Sequence, residues 1–250
     1  MNIELFDVQC GFGGITRGDP ALVTAQDAVD EMTRLSIAGA LVRTAPEPGG
    51  SDILASNAAL CEASAKHPSL VPCPAVIPTR GTDLPGERKQ IDAHLCHGCG
   101  AVCIRPAIDY WSIVPWVSDT LFGTLQERRV PVLCVESQVS LKEVGELAGR
   151  FPSLPLLVAG VTYSEQRVLL PLLHAFPGVY LSIGTNYTVH YGIEELVAAI
   201  GPERLLFGTG FPQAEPMTAI TQLMYADISD DDRRLIGAAN AKRLILEIQR

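Results

Sequence analysis

The chain has 250 residues, 47% of them hydrophobic, and 28 acidic against 19 basic side chains, for a formal net charge of −9. That acidity speaks against nucleic acid or an anionic membrane surface as a partner, and no stretch approaches the roughly 20 apolar residues of a spanning helix. The length and apolar content suit one α/β domain over residues 1–250 with a single large core.

The opening Met1-Asn2-Ile3-Glu4-Leu5-Phe6-Asp7 is already a strand pattern, with no basic leader and no apolar signal segment, which predicts a cytoplasmic protein. From there, short apolar runs alternate with amphipathic segments to the end. Strands are predicted at 3–9, 40–44, 70–77, 101–105, 130–136, 156–159, 179–183 and 204–207, and helices at 25–37, 52–66, 87–96, 113–128, 141–150, 165–175, 193–200 and 230–248. Repeated βα units imply a parallel sheet covered by helices, and eight strands are what a closed (β/α)8 barrel, the TIM barrel, requires. Ser229 ahead of Asp230-Asp231-Asp232 supplies an N-cap and an acidic first turn for the last helix. The Pro/Gly-rich pieces 45–50 and 78–86 follow strands and are expected as loops on the carboxyl-terminal face of the barrel.

The seven cysteines suit a reducing compartment. Cys10, Cys73, Cys103 and Cys134 lie in strand-like runs, where cysteine acts as a small hydrophobe. Cys10 follows Gln9, but strand alternation turns it away from the barrel axis, so packing is expected of it rather than nucleophilic attack. In His94-Leu95-Cys96-His97-Gly98-Cys99 the C-x-x-C spacing could chelate, yet no second ligand pair follows, and thiols packed at a helix end are expected there.

Two segments carry a family pattern: Phe6-Asp7-Val8-Gln9-Cys10-Gly11-Phe12-Gly13 near the start and Leu205-Leu206-Phe207-Gly208-Thr209-Gly210-Phe211-Pro212 near the end. Both resemble the amidohydrolase-related family of metal-dependent hydrolases, whose first strand ends in D-x-H-x-H-x-G and whose last ends in F-G-[ST]-D-x-P. Asn240-Ala241-Lys242-Arg243-Leu244 is similar to the family's closing N-A-x-R-L. The resemblance spans nearly the whole chain and implies the barrel fold. Residue by residue, the family's two histidines fall on Gln9 and Gly11 and its ligand aspartate on Gly210. Val130-Pro131-Val132-Leu133-Cys134-Val135-Glu136 offers no histidine on the fifth strand, and Gly160 stands where the sixth strand would bring one. Glycine supplies no side-chain ligand and glutamine is a poor one, so neither metal nor other cofactor is expected.

A barrel builds its pocket from strand ends and the loops after them. Gln9, Arg43, Arg105 and Glu136 end predicted strands, and Tyr163 follows the sixth. An arginine ending an apolar strand must meet a carboxylate or an anionic ligand, and two in one pocket suggest a bidentate clamp for carboxylate or phosphate. The bland alternative is an ion pair of one of them with Glu136 or Asp7. Glu136 is also placed to act as general acid or base. Asp7, which opens the first motif, is expected to brace backbone. The loop Gly184-Thr185-Asn186-Tyr187-Thr188-Val189-His190-Tyr191 is rich in hydrogen-bonding groups, which makes Tyr187 a substrate contact and His190 a second proton-transfer candidate.

These residues predict a hydrolase, lactonase-like in its chemistry, that works without the usual metal on a small carboxylated anion. Glu136 and His190 would move protons, and Gln9, Arg43, Arg105, Tyr163 and Tyr187 would bind substrate. The alternatives are a catalytically silent barrel that binds a metabolite or serves as a partner subunit, and a zinc enzyme with relocated ligands. A homo-oligomer is compatible with either main reading.

Overall fold

The structure, a computed structural model, describes residues 3–14, 22–45, 52–79 and 84–250; most of the two Pro/Gly-rich loops lies outside the described residues. The strands are β1 (Leu5–Gly14), β2 (Leu22–Val23), β3 (Ile37–Thr44), β4 (Leu70–Pro72), β5 (Val102–Ile104), β6 (Val132–Val135), β7 (Leu156–Ala159), β8 (Val179–Ile183) and β9 (Leu205–Phe207). They form two hydrogen-bonded arcs, β2-β1-β3-β4 and β5-β6-β7-β8-β9.

Two seams turn the arcs into a ring. Beyond β4, a parallel bridge joins Ala75 to Cys103, with Val76 N–H donating to the Cys103 carbonyl at 3.0 Å and Cys103 N–H to the Pro74 carbonyl at 2.9 Å. Beyond β9, Gly210 N–H donates to the carbonyl of Gln9 at 3.0 Å. Apart from β2, which pairs antiparallel with the end of β1, every ladder is parallel. The architecture is the expected (β/α)8 barrel.

Helices α1 (Ala25–Arg34), α2 (Ile53–Lys66), α3 (Glu87–Cys96), α4 (Pro115–Glu127), α5 (Leu141–Arg150), α6 (Gln166–Ala175), α7 (Gly192–Ile200) and α8 (Pro216–Tyr225) form the outer layer. Parallel strands buried on both faces read as unbroken apolar runs, and β7 is buried at all four positions. One set of strand residues, including Leu41, Cys73, Cys103, Leu133, Leu157 and Leu206, fills the barrel interior. The alternate set, including Cys10, Val42, Val132, Cys134, Leu156 and Val158, packs outward under the helices. Cys10 therefore turns from the axis, as alternation requires.

Local chemistry sets the helix starts. Thr24 with Asp27, Ser140 with Glu143, and Ser229 with Asp232 each form a reciprocal capping box. Besides the short strand β2, two helical segments depart from the sequence reading. Helix α8 was not expected; Pro216 opens it at a first-turn position that needs no N–H, and only Ala219, Leu223 and Pro216 are buried along it. The helix expected over 230–248 is broken into α9 (Asp230–Arg234), a π turn (Leu235–Ala239) and α10 (Asn240–Leu246). At the π turn, Gly237 lies so close to β1 that an added Cβ would stand 2.7 Å from the Glu4 carbonyl, and this contact seats the segment against the amino-terminal end of the barrel. Among the described residues, no helix is long and apolar enough to cross a membrane.

Candidate active site

A cavity of about 560 Å3 opens at the carboxyl ends of the strands, and Gln9, Arg43, Arg105, Glu136, Tyr187 and Thr209 line it. Its floor is organised by a buried carboxylate. Asp7 accepts the N–H of Gln9 at 2.8 Å, the N–H of Thr209 at 2.9 Å and the Thr209 hydroxyl. Burial raises the Asp7 pKa, while these donors and the nearby Arg43 pull it back down. The backbone-bracing role expected for Asp7 is thus its observed geometry. Gln9 is held between strands: its Oε1 accepts from the Ser182 hydroxyl at 3.4 Å, and a Cβ at Gly208 would come within 3.0 Å of the Gln9 Cβ.

The two strand-end arginines differ. Arg105 and Asp109 form a two-point fork, Nε to Oδ2 at 3.0 Å and Nη2 to Oδ1 at 3.1 Å, with both side chains buried. A tight turn brings Asp109 there, since the Ile108 and Asp109 N–H groups both donate to the Arg105 carbonyl. Arg105 thus pairs with Asp109, a carboxylate four residues on, and not with Glu136 or Asp7 as the bland alternative expected. Arg43 has no such partner among the described residues. Its Nε is buried without a hydrogen bond, and the same holds for the hydroxyl of Tyr187, which also lines the cavity.

Glu136 sits on the cavity wall after β6, its N–H bonded to the Ala159 carbonyl at 2.8 Å. Among the described residues its carboxylate makes no ion pair or hydrogen bond. Partial desolvation, and then the charge of Glu165, raise its pKa. A carboxylate so placed can hold or release a proton nearer neutrality than an exposed one.

Two expected residues lie elsewhere. His190 is solvent-exposed and absent from the cavity lining, edge-on to Tyr191 at 4.3 Å between ring centres. After Tyr187 turns inward through its N–H bond to the Gly184 carbonyl, the chain swings out, and Tyr191 takes a left-handed φ of 53° to start α7. Tyr163 is 67% exposed in a one-turn 3-10 helix, and its neighbours Val161 and Thr162 reach the cavity in its stead. The sequence reading missed Asp109, Ser182 and Thr209. An Arg-x-x-x-Asp spacing and the hydroxyl after Phe207-Gly208 were the available signals.

The residues present do not fit a metal. Gln9, Gly11, Gly160 and Gly210, which the resemblance sets at the family's ligand positions, offer no histidine or carboxylate, and among the described residues no group of three or more His, Cys, Asp or Glu side chains converges on one point. Near α3, Cys96 is exposed and Cys99 is buried. Desolvation drives the Cys99 thiol up to about 12 and lowers His94 to about 4, the charge of nearby His97 adding to the latter.

The amidohydrolase family model matches residues 55–245. Comparison with curated proteins finds no match. Solved structures similar in fold include 2,6-dihydroxybenzoate decarboxylase from Rhizobium, 15% identical, with a TM-score of 0.74 over 98% of this chain and 99% of that one. A probable 2-pyrone-4,6-dicarboxylic acid hydrolase from Acinetobacter baumannii, with citric acid bound, is 12% identical, with a TM-score of 0.69 over 97% and 99% of the two chains. An uncharacterised TIM-barrel protein from Bordetella bronchiseptica is 18% identical, with a TM-score of 0.69 over 91% and 84%.

Proposed function

Because the chain belongs to the amidohydrolase family, we propose that it is an enzyme that hydrolyses a small carboxylated substrate, a lactone or a related ester or amide, without a resident metal. The observation that carries this reading is the Arg43 Nε, buried without a partner among the described residues, in the same cavity as the Tyr187 hydroxyl, likewise without one, and the Glu136 carboxylate. Leaving a buried donor unmade costs about 1–3 kcal/mol, and an anionic ligand recovers it through a charge-assisted bond to the guanidinium. The hydrolase with citric acid bound and the dihydroxybenzoate decarboxylase share this fold, and both names describe carboxylated compounds.

In this reading Arg43 holds the substrate carboxylate, and Gln9 and Tyr187 orient the acyl group. Glu136 takes a proton from water as the water oxygen bonds to the acyl carbon. When the C–O or C–N bond of the tetrahedral adduct breaks, the same carboxyl returns that proton to the leaving oxygen or nitrogen. Arg105 stays paired with Asp109 and shapes the wall without binding substrate.

One observation favours a second reading, a barrel that binds a carboxylated metabolite without turning it over: among the described lining residues, no histidine and no second carboxylate accompanies Glu136. Assays of carboxylated lactones, esters and amides decide between them. Turnover that Glu136→Gln lowers by about 10²-fold in kcat, with KM little changed, supports the enzyme. Anion binding by the wild-type protein with no turnover across the panel supports the silent barrel.

A further inference from the structure

Between Asp7 and Cys10 the ladder from β1 to β3 slips by one residue, so that Val8 and Gln9 together stand opposite Leu41. A bulge of this kind re-aims a side chain. Val8 packs into the barrel interior, Gln9 beside it turns into the cavity, and alternation resumes with Cys10 outward. The main chain of Gln9 is held on both sides, its N–H by Asp7 at 2.8 Å and its carbonyl by the Gly210 N–H at 3.0 Å.

The side-chain amide is oriented as well. Ser182, in β8, is 2% exposed, and among the described residues its hydroxyl donates to Gln9 Oε1. With the amide turned the other way, that buried hydroxyl hydrogen would lose its acceptor. Glycine makes the room: a Cβ at Gly208 would collide with the Ser182 hydroxyl, and one at Gly184 would stand 3.3 Å from Gln9 Oε1. With Oε1 engaged, Nε2 remains. Among the described residues it makes no hydrogen bond, and unlike the Arg43 Nε and the Tyr187 hydroxyl it is not sealed from solvent. Its N–H groups are therefore free to donate into the cavity that Gln9 lines. Arg43, opposite Gly11 in the ladder, stands two residues further along, about 7 Å by the strand rise.

We propose that the Gln9 amide binds a ligand's carbonyl oxygen through Nε2, with Ser182 as its positioning residue, so that the cavity selects a carboxylate carrying a carbonyl oxygen elsewhere on its skeleton. The inference rests on the site reading above, in which Arg43 takes the carboxylate. In the hydrolysis described there, water adds to the acyl carbon, Glu136 takes the water's proton, and the electron pair of the C=O bond moves onto the oxygen that Gln9 holds. The pair returns to re-form C=O as the bond to the leaving oxygen or nitrogen breaks and Glu136 gives that atom the proton. N–H groups fixed in place before the reaction stabilise the charge on the oxygen, which is the task a metal ion performs in a metal-dependent hydrolase.

The test compares two ligands that share a carboxylated ring, 3-oxocyclopentane-1-carboxylate and cyclopentanecarboxylate, neither of which can be hydrolysed. Calorimetric titration at neutral pH gives the ratio of their affinities. In the full-length wild type the keto acid is expected to bind about fivefold more tightly, and in Gln9→Leu and Gln9→Met the advantage is expected to vanish. Ser182→Ala, which frees the amide to turn, is expected to lower the ratio to about twofold, and Ser182→Thr, which keeps the hydroxyl, to restore it. A substitution that only loosened the barrel would weaken both ligands alike and leave the ratio in place. A wild-type ratio near one, or no saturable binding of the keto acid, overturns the proposal even if no variant folds. An unchanged ratio in folded Gln9→Leu overturns it too, and an unchanged ratio in Ser182→Ala overturns the role of Ser182. Lactone turnover together with an unchanged Gln9→Leu ratio removes this inference and leaves the hydrolase. A ratio that Gln9→Leu abolishes, in a protein with no turnover, removes the hydrolase and leaves the carbonyl site.

Discussion

Thr209, just past the last strand, gives both its main-chain N–H and its hydroxyl to the carboxylate of Asp7 on the first strand, 202 residues earlier. Asp7 also takes the N–H of Gln9, so one buried side chain ties the two ends of the sheet together and orients the residue that enters the cavity from β1. Such a carboxylate acts structurally because all its donors are fixed backbone and hydroxyl groups.

Thr209→Val is therefore expected to lower stability by about 1–3 kcal/mol, the usual cost of an unsatisfied buried acceptor. Asp7→Asn is expected to cost more, because the new amide hydrogens face the N–H and O–H groups that Asp7 now accepts. Chemical denaturation of the two variants checks the order. Equal stability of Asp7→Asn and wild type would remove the bracing role.

The two arginines should separate in the same experiment. Arg105→Met leaves the Asp109 carboxylate buried and unpaired, and breaking a buried pair in this way costs about 3–5 kcal/mol. Arg43→Met removes a guanidinium that has no hydrogen-bonding partner among the described residues, so the fold should survive. Citrate and other small polycarboxylates are expected to raise the melting temperature of the wild type and to leave that of Arg43→Met unchanged. A full anion response in Arg43→Met would place the anion site elsewhere.

Much of this was legible in the sequence, for reasons particular residues show. Strand ends point into a barrel's mouth, so Gln9, Arg43, Arg105 and Glu136 reach the cavity as alternation requires. His190 and Tyr163 lie on connections, where no such period holds, and one left-handed residue, Tyr191, is enough to send the chain outward. The Arg105–Asp109 pair arises from a turn that closes only in three dimensions. The break in the last helix follows from a close approach between Gly237 and the Glu4 carbonyl, which the apolar spacing of 230–248 does not record.

His190→Asn should consequently leave anion binding, and any turnover found, within about twofold of wild type, although histidine is the usual proton carrier near neutrality. Steady-state kinetics check this. A hundredfold loss would mean that the 187–191 loop adopts another arrangement during the reaction.

Metal content tests the ligand positions directly. With Gln9, Gly11, Gly160 and Gly210 at the positions that the resemblance aligns with the family's ligands, purified protein is expected to hold well under one equivalent of zinc, manganese or iron, and chelator treatment should not alter anion binding. One tightly held ion per chain, lost on changing Glu136, would overturn the metal-independent reading.

The raised pKa of Glu136 carries a pH dependence whose sign is fixed. Desolvation and the charge of Glu165 both disfavour its ionised form, and an anion bound in the same cavity disfavours it further. Protonation of Glu136 and anion binding are therefore linked positively: affinity for a ligand that stays fully ionised should strengthen as pH falls through the Glu136 titration, and binding should take up protons. The same shift means that this group's contribution to stability is greatest at low pH and declines as pH rises from the ordinary glutamate range through the folded-state pKa. Glu136→Gln, neutral at every pH, should bind the anion at pH 8 at least as tightly as wild type does and lose the slope. A catalytic base behaves oppositely, because turnover needs the ionised form. In an active wild type kcat should therefore rise with pH over the interval in which anion affinity falls. Calorimetric titration of oxalate, a dicarboxylate that stays ionised over the range, into both proteins from pH 5.5 to 8, in buffers of different ionisation enthalpy, reads the proton uptake. Identical pH profiles for wild type and Glu136→Gln would show that Glu136 does not sense the bound anion, and would remove it from the site.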